Sequence, residues 1–276
     1  MASYHFNADI VSRGDGGSVA AAAAYISGEK LRDIYDGRIH DRTYRQDVTY
    51  KEILLPLAAP RELSDRQTLL DALNVSERRN DSQMARTIKI ALPNELSFGE
   101  QVALAKEFAL ENFINIGLCA DFAMHEGLLD KNRKPTSIEA VNEYQDNPHA
   151  HLIVPFRMVD RHGFHRTKTQ TRYMNSIAYL VSLRKEWARL QNREFERLGL
   201  AVRVSHESLS AQGIDREPTK HIGAAAMALE LRGVRTDRGD EYRETIVRNK
   251  EREMMREIAH ERMREIERER TFERSR

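Results

Sequence analysis

The segment NPHAHLIVPF, residues 147–156, places two histidines, His149 and His151, at the head of an apolar run. In a strand, residues i and i+2 share a face, so the two imidazoles project together. Leu152, Val154 and Phe156 then project to the other side. Two imidazoles are costly to bury unless a metal ion, a carboxylate or solvent satisfies their nitrogens. A third histidine, His125, ends the upstream apolar segment IGLCADFAMHEG. If the two segments pair as a hairpin, His125 falls beside the start of the second and three imidazoles converge. Neutral imidazole is the commonest nitrogen ligand of divalent metals, and three protein ligands with open positions make a reactive centre. No helix-borne H-E-x-x-H pattern accompanies them, and Glu126 faces away from His125 on a strand, so ordinary zinc hydrolysis lacks its base. The bland alternative, half-exposed polar residues at a strand start, stays open at this point.

A nucleophile would extend the chemistry. Tyr25 lies near the end of SVAAAAAYISGEK, among alanines too small to shield it. A phenol of pKa about 10 is a weak nucleophile at neutral pH. Paired with an electrophile polarised by a cation, it becomes a competent one. A DNA phosphodiester is such an electrophile: attack leaves a phosphotyrosine, releases a hydroxyl and conserves the bond energy for resealing. The competing reading is a helix tyrosine packed on a sheet. Tyr4, Tyr35, Tyr44 and Tyr50 are rival nucleophiles without the Ala-flanked helical setting. His5, in the first predicted strand, is placed to support a ligand from behind.

These residues need elements to position them. SYHFNADIVSR alternates as a strand. Ser18 is a good N-cap for the Ala-rich helix that follows, and Gly28 is placed to end it. LRDIYDGRIHDRTYRQD reads as irregular and polar. TYKEILLP and ARTIKIALP are strands closed by proline, with the helical stretch RELSDRQTLLDALNVSERR between them. Ser97 and Glu100 form a capping box ahead of an amphipathic helix. A polar loop from Leu128 to Asn147 overhangs the histidine strands, and loops of this length are usually functional or disordered. Leu180, Leu183, Trp187 and Leu190 recur at helical spacing. HIGAAAMALELRG is a shorter helix. Mixed strands and helices with antiparallel neighbours predict an α+β fold.

With 276 residues, 40% apolar and 32% charged, the chain can bury a sizeable core. Cys119 is the only cysteine, which excludes an internal disulfide and a Cys-based zinc site. No apolar run approaches the roughly 18 residues of a membrane span, and no secretory pattern opens the chain. A cytoplasmic protein without membrane insertion is expected. The net charge of +1 argues neither for nor against nucleic acid. The last stretch alternates Arg and Glu at i,i+3 and i,i+4 and predicts a solvated helix. The expected organisation is a domain over 1–240 and a charged helical tail or linker over 241–276.

SVAAAAAYISGEK after a first strand, AMHEG and NPHAHL together resemble the plasmid relaxases of the MobA/MobL (MobQ) type, whose nickase domain is shared by conjugative TraA proteins. ARTIKIALPNEL, LRKEWARLQNREFERLGL, SHESLSAQGIDREPTKHIG and ELRGVRTDRGD extend the resemblance over residues 2–240. It implies an HUH-endonuclease fold, with a central antiparallel sheet, flanking helices and a divalent metal on the sheet face. It implies site- and strand-specific nicking and rejoining of single-stranded DNA at a plasmid transfer origin. The family's nucleophile matches Tyr25, and its metal ligands match His125, His149 and His151. The implied product is DNA joined through its 5′ phosphate to Tyr25, led into a recipient cell with the help of accessory relaxosome proteins and a coupling protein. Mn²⁺, Mg²⁺ and Zn²⁺ are the candidate ions, three histidines suiting Mn²⁺ or Zn²⁺ better than Mg²⁺. A rolling-circle replication initiator of related chemistry and a non-catalytic origin-binding protein are the alternatives.

This sequence departs from the family pattern in two places. The strand before Leu-Pro usually carries acids, where this chain has Thr87 and Lys89, and Ile26 stands where an arginine is common. Asp81, Glu77 or Asp121 would have to supply an acid beside the site, Asp121 as a partner behind the ligands. Phosphate contacts are expected from Arg13, Lys30, Arg32, Arg161, Arg166, Lys168 and Arg172, with Phe164 or Tyr173 available for base stacking.

Overall fold

A computed structural model describes residues 4–126, 148–220, 222–230 and 232–274. The predicted loop from Leu128 to Asn147 lies outside the described residues, and so does His221. The chain divides into two compact units, the first ending at His206 and the second taking up Glu207–Arg276.

The first unit is α+β. Five strands form one antiparallel sheet: β1 (Phe6–Ser12), β4 (Val48–Leu54), β5 (Gln83–Ala91), β6 (Ala120–His125) and β7 (His149–Pro155), in the order β1-β5-β7-β6-β4. One face carries Phe6, Ile88, Ile90, Phe122, Met124, Leu152 and Val154. Helices α3 (Phe98–Asn112) and α4 (Ile177–Arg197) cover it with Leu104, Phe108, Leu183, Trp187 and Leu190. The predicted capping box of Ser97 and Glu100 starts α3, and of the predicted apolar stripe of α4, Leu183, Trp187 and Leu190 enter the core while Leu180 stays partly exposed.

The opposite face is built for closeness. Helix α1 (Val19–Ser27) lays Ala20, Ala23 and Ala24, all fully buried, over Ala85, Ala123 and Ile153, flanked by Leu70 and Leu73 of α2 (Arg66–Ser76). Alanine's small side chain is what lets this helix approach the sheet. Ser18 caps its start, its hydroxyl accepting from the Ala21 amide at 3.0 Å. Gly28 ends it in the left-handed conformation at φ 65°, which glycine adopts without a Cβ penalty.

The stretch read as irregular contains a short hairpin, β2 (Lys30–Arg32) paired with β3 (Ile39–Asp41). Strands of three residues carry too little alternation to register as a pattern. A second small hairpin, β8 (Val159–Asp160) with β9 (Gly163–Phe164), follows β7. In the second unit, α5 (Ala224–Glu230) precedes the charged helix α6 (Asp237–Arg274). Ion pairs such as Arg248–Glu244 run along α6, and Arg243 contacts Asp240 near its start.

Candidate active site

Strands β6 and β7 form the expected antiparallel pair, with His125 opposite His149 and Ala123 opposite His151. The period-two alternation then puts all three imidazoles on the α1 face of the sheet, at the end where β6 finishes and β7 begins. Ring centroids are 4.6 Å apart for His125–His151, 5.0 Å for His149–His151 and 5.3 Å for His125–His149. One nitrogen from each lies within 4.8 Å of the other two.

The donor set fits a metal ion on this geometry. His151 Nε2 is buried and has no hydrogen-bond partner among the described residues, a costly state for a polar atom that a ligand does not satisfy. Burial, then the charges of His125, His149, Lys89 and Arg45, push His151 down to about 2. Burial likewise lowers His125, and Arg45 adds to the effect against the Ile26 carbonyl and Asp47. Both rings are therefore neutral, and His151 Nε2 has its lone pair available for coordination. His125 Nε2 donates to the Ile26 carbonyl at 2.7 Å, which fixes the ring as ligating histidines usually are.

Tyr25 belongs to the same site. Its ring stands edge-on to His125 at 6.2 Å and to His151 at 6.1 Å, and the residue is 47% exposed. Three of the four rival tyrosines are engaged elsewhere. Tyr4 donates to the Arg184 carbonyl, Tyr50 donates to Glu52, Tyr35 lies under Arg13, and Tyr44 is exposed beyond the β2–β3 hairpin.

Arg45, which no sequence pattern singles out, joins these parts. Its guanidinium stacks over the Tyr25 ring, 4.1 Å from the centroid, and donates to the Tyr25 carbonyl at 3.2 Å. It forms a two-pronged ion pair with Asp47 and places Nη2 3.4 Å from His125 Nδ1. Burial alone would raise Asp47, but Arg45 holds its carboxyl below the usual range. Lys89 of β5 pairs across the sheet with His151 and with Asn7 of β1. Burial and the Arg45 charge lower its ammonium's pKa.

The other residues expected near the site fall in several places. Asp121 lies two positions before Ala123 on the same face of β6, but both its oxygens accept from Arg66, at 2.8 and 2.9 Å. Arg66 also contacts Glu29, just past α1, at 2.6 Å. Asp121 thus anchors the end of the tyrosine helix rather than backing a histidine. Glu77 is buried against Arg157 and Lys168, and Asp81 pairs with Arg79 at the surface, so neither supplies the missing acid. His5 is exposed just before β1, where its carbonyl accepts from the Ala91 amide. Among the expected phosphate contacts, Arg13 is engaged with Asn74 and the Glu77 carbonyl, and Lys168 with Glu77 and the Gln83 carbonyl. Lys30, Arg32, Arg161, Arg166 and Arg172 are exposed. Phe164 packs against the core, whereas Tyr173 is half exposed.

The chain is 31% identical over 247 residues to a mobilization protein MobL of Acidithiobacillus ferridurans, covering 84% of this chain and 65% of that one. It is 29% identical over 269 residues to the conjugal transfer protein TraA of Agrobacterium fabrum, covering 86% of this chain and 23% of that one. The chain therefore spans less than two thirds of the length of these relatives. A solved structure from work on the molecular basis of vancomycin resistance transfer in Staphylococcus aureus superimposes with a TM-score of 0.61 at 33% identity, over 74% of this chain and 98% of that one. The MobA/MobL family model matches residues 17–232, a span that takes in Tyr25 and all three histidines, and the chain belongs to that family.

Proposed function

We propose that this chain nicks and rejoins single-stranded DNA at a plasmid transfer origin, with Tyr25 as the nucleophile and His125, His149 and His151 as ligands of a divalent metal. The observation that carries the reading is the approach of the Tyr25 ring to within 6.2 Å of two of three clustered imidazoles. A phenol poised beside such a cluster is a pairing that can carry out phosphodiester transesterification. The names of the relatives, mobilization and conjugal transfer proteins, support the same substrate.

In the proposed step Tyr25 Oη bonds to phosphorus and the bond from phosphorus to the 3′ oxygen breaks. Tyr25 is half exposed, so its proton leaves to water, and the departing 3′ oxygen takes one up. The strand is left joined to the protein through its 5′ phosphate, and the reverse reaction reseals it. A bound divalent cation supplies polarisation of the phosphate and neutralises charge as it builds. Imidazole nitrogen donors suit Mn²⁺ or Zn²⁺ better than Mg²⁺. Arg45 holds the phenol in place by stacking on its ring and bonding its carbonyl. Work in the bacterial cytoplasm, with accessory and coupling proteins and passage of the adduct into a recipient, completes the reading.

The test is to incubate the protein with single-stranded plasmid DNA carrying the origin, with and without chelator, and to look for a covalent complex. The complex should form with metal and be absent from Tyr25→Phe, which should still bind the DNA. A complex formed by Tyr25→Phe would refute Tyr25 as the nucleophile.

A further inference from the structure

The cationic groups at this site are not equivalent. Arg45 is neutralised by Asp47 and engaged with Tyr25. Lys89 has no ion pair among the described residues, although it is half buried. It lies directly across the β5–β7 ladder from His151 and, by the alternation of β5, on the same face as the three imidazoles. The neighbour on its other side, Asn7, is neutral and donates to Asp9 at 2.6 Å. An ammonium half withdrawn from water with no counter-charge paired to it is electrostatically unfavourable unless an anion joins it. It also opposes a bound metal ion, as an acid at this position would not.

We propose that Lys89 seats a non-bridging oxygen of the DNA phosphate beside the three histidines, giving the site an affinity for phosphodiesters that does not depend on metal. The proposal rests on the nickase reading for its choice of anion. A lysine at this position shifts part of the phosphate's binding from the metal to the protein, and the same charge weakens the site's hold on the cation. The two ligands are therefore coupled through one side chain with opposite signs.

The experiment uses the full chain and a fluorescein-labelled oligothymidylate, with anisotropy read in excess EDTA. Lys89→Ala should bind about tenfold more weakly than the wild type, the scale of one lost charged contact. Lys89→Glu should bind more weakly still, and Lys89→Arg should stay within a few-fold. The slope of log affinity against log salt should fall by about one phosphate contact in Lys89→Ala. Mn²⁺ affinity, measured separately by calorimetry, should move the other way, rising in Lys89→Ala and further in Lys89→Glu. Damage to the fold would lower both affinities, so the opposite signs distinguish the proposed role from misfolding. Unchanged DNA binding in Lys89→Ala, or a loss of both affinities, overturns the proposal. In the Tyr25→Phe background the same pattern should persist. If it does while the wild type forms no covalent complex, Lys89 stands and the nickase reading fails. If the complex forms while the pattern is absent, the reverse holds.

Discussion

At the scale of single residues, the site combines groups whose signals in the sequence differ greatly. His149 and His151 are legible because strand periodicity fixes the direction of residues two apart, and His125 because a hairpin brings it opposite. Tyr25 is legible from its alanine neighbours, whose size has a structural reason in the tight packing of α1 on the sheet. Arg45 and Asp47 are not legible. They lie in a polar stretch with Arg38, Arg42 and Arg45 in similar surroundings, and only the fold returns one of them to the tyrosine. Replacing Arg45 by Ala should slow single-turnover adduct formation tenfold to hundredfold, about 1.4 to 2.8 kcal/mol of barrier, while DNA affinity stays within a few-fold. Equal losses in binding and rate would show instead that Arg45 acts on the DNA.

At the scale of elements, the tyrosine helix is fixed at both ends, and its placement should be as sensitive as the nucleophile itself. A Cβ on Gly28 would force a left-handed residue to carry a side chain and would meet Val48 Cγ2 at 3.2 Å. Gly28→Ala should cost about 1 to 2 kcal/mol in stability and reduce adduct formation with Tyr25 intact, as a thermal melt and an adduct assay on one sample would show. Glu77, at the end of α2, ties that helix to Arg157 after β7 and to Lys168. Burial would raise its carboxyl, but the bonds from Arg157 and Lys168 outweigh it and lower the pKa. A carboxylate lowered on folding stabilises above its unfolded value of about 4.3, and that contribution is lost as pH falls through the folded value. Glu77→Gln should therefore lower the melting temperature at pH 7, by breaking a buried pair worth roughly 3 to 5 kcal/mol, and the gap from wild type should narrow below about pH 4. A gap independent of pH would assign Glu77 a packing role only. The long helices and the strands ending in proline are readable from pattern, whereas the β2–β3 hairpin is not, because its strands are too short to alternate.

At the scale of the whole molecule, the buried members of the apolar clusters among the described residues all lie between Phe6 and Leu190. The charged helix α6 has two ion pairs of its own, Arg243–Asp240 and Arg248–Glu244, but its arginines also reach residues that precede it, Arg243 pairing with Glu230 and Arg248 and Arg252 with Glu217. A chain ending at His206 should accordingly keep a cooperative melt and form the adduct, whereas loss of both would place part of the folding information beyond that point. Net charge of +1 gives no general attraction to DNA, so binding should depend on the few cations near the site, with a correspondingly shallow salt slope. The most direct measurement of the central claim is peptide mass spectrometry of the protein after incubation with single-stranded origin DNA, Mn²⁺ and nuclease trimming. The predicted result is a nucleotide 5′ phosphate on Tyr25, lost when the metal is chelated. A nucleotide on any other tyrosine, or cut DNA with free 5′ ends and unmodified protein, would contradict it.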